Sequence, residues 1–225
     1  MNENQKTAKE IPVKLLITIV LFLAALFLFA VLAKVVVLDK KDLFDAAVFY
    51  FLSRHTTPAL IAVMKVITFF GSINFLLPAY VVLVLWLWVK KKKRLATDVA
   101  IVGLSSDLLK QALKYGFQRH RPNLPLLEPL KSYSFPSGHA FSSFIFCSIL
   151  VYLLWKQNIR PAWKWTFSVL LVFCSLAIGI SRIVLRYHYA SDVVAGFCVG
   201  FTWAIFTLWL LNKFHFFRQQ PKTKA

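Results

Sequence analysis

Long apolar runs, recurring six times with basic residues gathered at their ends, leave this chain few folds to choose from. They lie at residues 12–38, 74–89, 96–117, 139–155, 165–185 and 190–211. A hydrocarbon core of about 30 Å takes about 20 helical residues, so the two shortest runs need help from flanking residues. A segment in lipid must satisfy its own peptide groups, and runs of this length do so as helices. The expectation is an all-α integral membrane protein with six transmembrane helices. The hydrophobic share of 59%, with seven Gly and nine Pro among 225 residues, fits that class. No repeat or linker is visible, so residues 1–225 are read as one domain.

The formal charge of +18 would suggest a nucleic-acid partner in a soluble protein. Here Lys and Arg gather at the ends of apolar runs, which points to the bilayer and to no nucleic acid. With a cytoplasmic N-terminus, four segments fall inside: Lys6, Lys9 and Lys14; Lys90 to Arg94; Lys156, Arg160 and Lys164; Lys213, Arg218, Lys222 and Lys224. They hold fifteen of the 27 basic residues. The lysine run at 90–93 decides the orientation, because the positive-inside bias weighs short loops most. Both termini are expected in the cytoplasm. The first run is about twice the length of a signal h-region and is expected to stay as a span.

Residues 56–89 overshoot a single crossing, since about 32 helical residues reach about 48 Å. Gly71 and Ser72 are expected to break the run. Residues 58–70 then form an interfacial helix, with Leu60, Val63, Met64 and Ile67 as its apolar stripe and Lys65 toward water. A second short amphipathic helix is expected over 41–53, giving one or two interfacial helices between the first two spans. The alternative is one tilted helix. Cys147, Cys174 and Cys198 all fall inside apolar runs and read as small core residues, so neither a disulfide nor a thiolate metal site is supported.

Against this background, polar residues gathered at the ends of apolar runs read as a functional site, because charge near hydrocarbon is costly. Lys114 and Arg121 are seven apart, so on one helix they would leave the same face, with Pro122 ending it. Snorkelling at a membrane boundary is the ordinary alternative. Pro136-Ser137-Gly138-His139 precedes an apolar helix, where Ser137 can cap, Gly138 allows close backbone approach, and free N–H groups make an anion cradle. His188 and Asp192 are four apart, so one helical turn can bring the carboxylate against the imidazole and leave Nε2 as a nucleophile. Arg182 lies six residues earlier, at the end of the preceding run. The 43 positions from His139 to Arg182 cross the membrane and return, which brings all three clusters to the extracytoplasmic face.

Lys114, six residues, Arg121-Pro122; Pro136-Ser137-Gly138-His139; and Ser181-Arg182, five residues, His188, three residues, Asp192 together resemble a tripartite signature. It is that of the type 2 phosphatidic acid phosphatases, membrane lipid phosphatases that share their site with vanadium haloperoxidases. Every signature position between 114 and 192 is filled. The resemblance implies that His188 attacks phosphorus, Asp192 orients it, and His139 protonates the leaving oxygen. It implies that Lys114, Arg121, Arg182, Ser137 and the Gly138 N–H hold the phosphate oxygens. No metal or other cofactor is implied; three fixed cations would do what magnesium does elsewhere. In size and layout the chain is most similar to the phosphatidylglycerophosphate phosphatases of bacterial cytoplasmic membranes. Undecaprenyl pyrophosphate, phosphatidic acid and diacylglycerol pyrophosphate are alternative substrates. The partner is then a phosphorylated membrane lipid. A non-catalytic lipid-phosphate transporter and a phosphotransferase are readings of other kinds. Lys110 is expected to pair with Asp107, while His120, Asn123 and the loop 124–133 are expected at the mouth of the site.

Overall fold

Prolines and single residues of unusual backbone geometry set where the helices start and stop. The computed structural model describes residues 3–123, 125–126, 128 and 132–219. Among these every regular element is helical. The first helix, α1 (Glu3–Leu32), runs on through a π-helical stretch, Ala33–Leu38, and is followed by α2 (Leu43–His55). Pro58 at the first turn and Thr57, whose Oγ1 accepts from Leu60 N at 3.2 Å, open α3 (Pro58–Phe69). A turn at Phe70–Ser72 separates it from α4 (Ile73–Val89), so residues 56–89 form two helices that part at Gly71 and Ser72. Next come α5 (Lys93–Phe117), α6 (Gly138–Trp155), α7 (Pro161–Val184) and α8 (Ala190–Gln219).

Five stretches of the described residues are long and apolar enough to cross a bilayer: Leu15–Leu38, Pro58–Val89, Gly138–Trp155, Pro161–Val184 and Ala190–Lys213. The sequence suggested six. The difference is α5, which has the length at 25 residues but carries Asp98, Asp107, Lys110 and Lys114. Asp98 and Lys114 are buried against the rest of the bundle and Asp107 and Lys110 border a cavity, so these polar groups dilute the apolar character of α5. Of the basic segments used to orient the chain, residues 220–225 lie outside the described residues.

The bundle is built around α6, which packs on α7 and α8. Its core gathers Phe141, Ile145 and Ile149 of α6 with Val99 and Val102 of α5 and Val199 of α8. Large apolar side chains such as Phe27, Val82 and Phe173 point outward, the inverse of a soluble surface. Cys147 and Cys198 are buried as expected, but Cys174 is exposed on the outer face of α7 and is not a core residue. Two glycines permit the contacts that shape one end of the bundle. A Cβ at Gly196 of α8 would stand 2.8 Å from the Ser137 carbonyl oxygen, and one at Gly71 would overlap Ile178 Cγ2. Close approach of the backbone therefore joins the start of α6 to α8 and the α3–α4 turn to α7.

Candidate active site

Gln118 adopts a left-handed conformation, with φ of 48°, and ends α5 before the signature arginine is reached. Arg121 therefore lies in the loop that follows, not on the helical face that its seven-residue spacing from Lys114 suggested. The two still converge, because both donate to the carbonyl of Tyr133, Lys114 at 2.5 Å and Arg121 at 3.3 Å. Arg121 also donates to Ser132 O at 2.6 Å, to Ser132 Oγ at 2.9 Å and to Tyr187 O at 2.7 Å. Its Nη1 stands 3.2 Å from His188 Nε2.

That last contact assigns the proton on the imidazole. A guanidinium has no acceptor, so Nε2 of a neutral His188 must present its lone pair and Nδ1 must carry the hydrogen. His188 is buried. Burial first, and then the charges of Arg121, Lys114 and Arg182, hold it well below the ordinary histidine value and so keep it neutral. On the other side Nδ1 lies 3.3 Å from Ser134 Oγ and 3.4 Å from Asp192 Oδ2. Ser134 Oγ in turn donates to Asp192 Oδ2 in a short bond, and Tyr189 N donates to the same oxygen at 3.0 Å. The carboxylate thus acts on the ring partly through a serine.

Arg182 reaches the site from the last turn of α7. It donates to Thr68 Oγ1 of α3 at 2.8 Å and lies over the Tyr187 ring, 4.1 Å from its centre. Its buried Nε has no hydrogen-bond partner among the described residues. Among those residues no carboxylate lies within ion-pair distance of Lys114, Arg121 or Arg182. Three buried or half-buried cations without counter-ions are costly unless an anion joins them. Lys110, by contrast, is paired with Asp107, as the sequence suggested.

Ser137 caps α6, its Oγ accepting from Ala140 N at 3.5 Å while its own N–H donates to Asp192 O at 2.9 Å. The N–H groups of Gly138 and His139 then open the first helical turn, where no preceding carbonyl of the helix can receive them. A cavity of about 640 Å³ adjoins this turn and is walled by Lys114, Arg121, Gly138, His139, Arg182 and His188. It continues between α4 and α5 past Leu77, Val81, Leu85, Ala100 and Leu104, an apolar corridor. Ser137 and Asp192, both fully buried, support the wall from behind and do not line the cavity. His120 and Asn123 do not line it either. Of the loop expected at its mouth, residues 124, 127 and 129–131 lie outside the described residues, while Ser132 lines it and Tyr133 anchors two cations.

Four further supports lie outside the residues expected from the sequence. Arg119 donates to Asp192 Oδ1 at 2.6 Å and to Asp45 Oδ2 at 2.8 Å. Burial alone would lower its pKa, but the two carboxylates outweigh burial and raise it. Ser134, Asp45 and Thr68 complete the set. Asp45 had a visible signal, as a lone acid in an apolar short helix; Ser134 and Thr68 had none.

A neutral buried imidazole ringed by unpaired cations at one end of an apolar helical bundle is the equipment of a membrane phosphatase. The chain belongs to the PAP2 superfamily, whose family model matches residues 95–216. It is 31% identical over 144 residues to phosphatidylglycerophosphatase B of Bacillus subtilis, covering 64% of this chain and 71% of that protein. It is 25% identical over 169 residues to an undecaprenyl-diphosphatase of Sulfolobus acidocaldarius, covering 72% of this chain and 76% of the relative. The fold matches the crystal structure of the first transmembrane PAP2 type phosphatidylglycerolphosphate phosphatase from Bacillus subtilis. That match has a TM-score of 0.73 at 26% identity and covers 91% of this chain and 98% of the other. The protein is thus a membrane-embedded, all-helical hydrolase of phosphate esters.

Proposed function

We propose that the protein removes the terminal phosphate of phosphatidylglycerol phosphate, with overlapping activity on isoprenoid diphosphates, and that its reaction passes through His188. In this reading Nε2 of His188 attacks phosphorus as the bond to the glycerol oxygen breaks. His139 gives that oxygen its proton. Water then attacks the phosphohistidine, its proton passes to His139, and inorganic phosphate leaves. Lys114, Arg121 and Arg182 with the Gly138 N–H hold the nonbridging oxygens. Ser137 keeps that turn in place, and Asp192 keeps the ring turned. Phosphate-ester hydrolysis requires up to about 10²¹-fold acceleration, of which general acid help supplies about 10² to 10⁴. Preorganised positive charge and positioning must supply the larger share.

The observation that carries the lipid substrate is the cavity, which joins the unpaired cations to an apolar corridor between α4 and α5. A phosphate can reach the cations while acyl or prenyl chains stay among Val81, Leu85 and Leu104. The relative named for undecaprenyl diphosphate favours the second substrate. We take α5 as the sixth crossing, both termini as cytoplasmic and the site as opening outward, on the strength of the basic run Lys90 to Arg94. We also read residues 1–225 as one domain. Phosphate release by detergent-purified protein across a panel of lipid mono- and diphosphates tests the reading, with His188→Ala as blank. Release unchanged in that variant refutes the nucleophile. Turnover confined to soluble phosphates refutes the lipid.

A further inference from the structure

Arg119 carries its charge in a setting unlike that of the three cavity cations. It is held between two buried carboxylates from distant elements, Asp45 on α2 and Asp192 on α8. Asp45 stands in the first turn of α2, where an acid ordinarily serves its own helix. Its oxygens instead reach across: Oδ1 accepts from Ser191 N at 2.9 Å, and Oδ2 accepts from Ser191 Oγ at 2.6 Å and from Arg119 at 2.8 Å. Arg119 closes the ring by donating to Ser191 Oγ at 2.8 Å and to Asp192 Oδ1 at 2.6 Å. Its guanidinium lies 4.0 Å from the centre of the Tyr189 ring, which also meets Phe49, one turn beyond Asp45 on α2.

The consequence falls on the rotation of one carboxylate. With Oδ1 of Asp192 committed to Arg119, only Oδ2 faces Ser134 and the His188 ring. None of Asp45, Arg119, Ser191 or Asp192 lines the cavity, so this ring of contacts does not hold substrate. We propose that Asp45 and Arg119 are positioning residues for the nucleophile: they lock the Asp192 carboxylate from behind, and seating of α2 against α8 is thereby a condition for a correctly turned His188. The proposal rests on the reading of His188 as nucleophile.

Full-length protein in detergent, reacted with a ³²P-labelled short-chain lipid phosphate and quenched, gives the rate constant and the final amount of labelled histidine. Asp45→Asn and Arg119→Gln should slow labelling and lower kcat by about 10- to 100-fold, the range for lost outer partners and misplaced groups. KM and the final amount of label should stay at wild type. Arg119→Lys should recover part of the loss, and the double variant should be no slower than Arg119→Gln alone, because both act through one carboxylate. An unchanged rate constant in Asp45→Asn overturns the proposal. So does a loss confined to the amount labelled, which marks a structural role, or losses that multiply in the double variant. Where wild type hydrolyses the intermediate too fast to show label, kcat of the same variants decides: unchanged values overturn positioning, and reduced kcat at constant KM supports it, while phosphate release retained in His188→Ala marks failure of the nucleophile reading instead.

Discussion

Replacing Arg121 by lysine keeps its charge and removes its fork, which separates electrostatics from geometry at the centre of the site. Ser132, Tyr133 and Tyr187 take guanidinium hydrogens on three sides and aim Nη1 at His188 Nε2 from 3.2 Å. In the proposed reaction the nonbridging oxygens lie beside Nε2, so this donor stands next to where charge develops during transfer. Loss of one such preorganised donor costs about 10² to 10³ in kcat, or about 2.7–4 kcal/mol. A lysine ammonium has three donors on a flexible stem and cannot meet Ser132 O and Tyr187 O while also facing the phosphate. Arg121→Lys should therefore lose about 10²-fold in kcat, and Arg121→Ala, which loses the charge as well, about 10³-fold or more. Release of inorganic phosphate from a short-chain lipid phosphate by detergent-purified protein measures both. If Arg121→Lys stays within about threefold of wild type, under 1 kcal/mol, the fork does not matter and the argument from fixed geometry fails.

The acid limb of kcat/KM, corrected for the substrate's own second ionisation near pH 6, reports the free enzyme. Because burial and then Arg121, Lys114 and Arg182 lower the His188 pKa, the neutral form survives through pH 6.5 and the limb should lie below it. Lys114→Met should move the limb upward, and a wild-type limb at or above 6.5 would contradict the assignment. Activity should persist in excess EDTA, since fixed cations take the part of a metal; an absolute magnesium requirement on a soluble substrate would refute this. Gly196→Ala places a methyl 2.8 Å from the Ser137 carbonyl oxygen and should cost about 1–3 kcal/mol, read as a lower Tm with reduced kcat. A variant with unchanged Tm and kcat would show that the start of α6 yields freely.

The meeting of Lys114, Arg121, Gly138, His139, Arg182 and His188 at one cavity was legible because each lies at or near the end of an apolar run. The break at Gly71 and Ser72 and the Lys110–Asp107 pair were legible for the same local reasons. Geometry set by turns was not. The seven-residue spacing from Lys114 to Arg121 presumes a continuous helix, and Gln118 ends it through a backbone conformation that side-chain type does not announce. Ser137 has the identity of a phosphate ligand, but its hydroxyl faces the first turn of α6. Ser134, Ser191 and Thr68 are ordinary small polar residues whose partners lie 54, 146 and 114 positions away, so no local pattern marks them.

The partition between paired and unpaired cations explains how so much positive charge is held near lipid. Arg119 is neutralised within the fold, whereas Lys114, Arg121 and Arg182 are left to carbonyls, a hydroxyl and an aromatic face. Those neutral partners orient the three cations without cancelling their charge, so most of their electrostatic attraction remains for an arriving phosphate. The family match begins at residue 95, yet two of the groups that enforce this partition lie before it. Asp45 pairs with Arg119 behind the cavity wall, and Thr68 meets Arg182 with a neutral hydroxyl that leaves its charge uncancelled. The segments ahead of the signature region therefore contribute to the field around His188, through α2 and α3, and are more than an anchor in the bilayer.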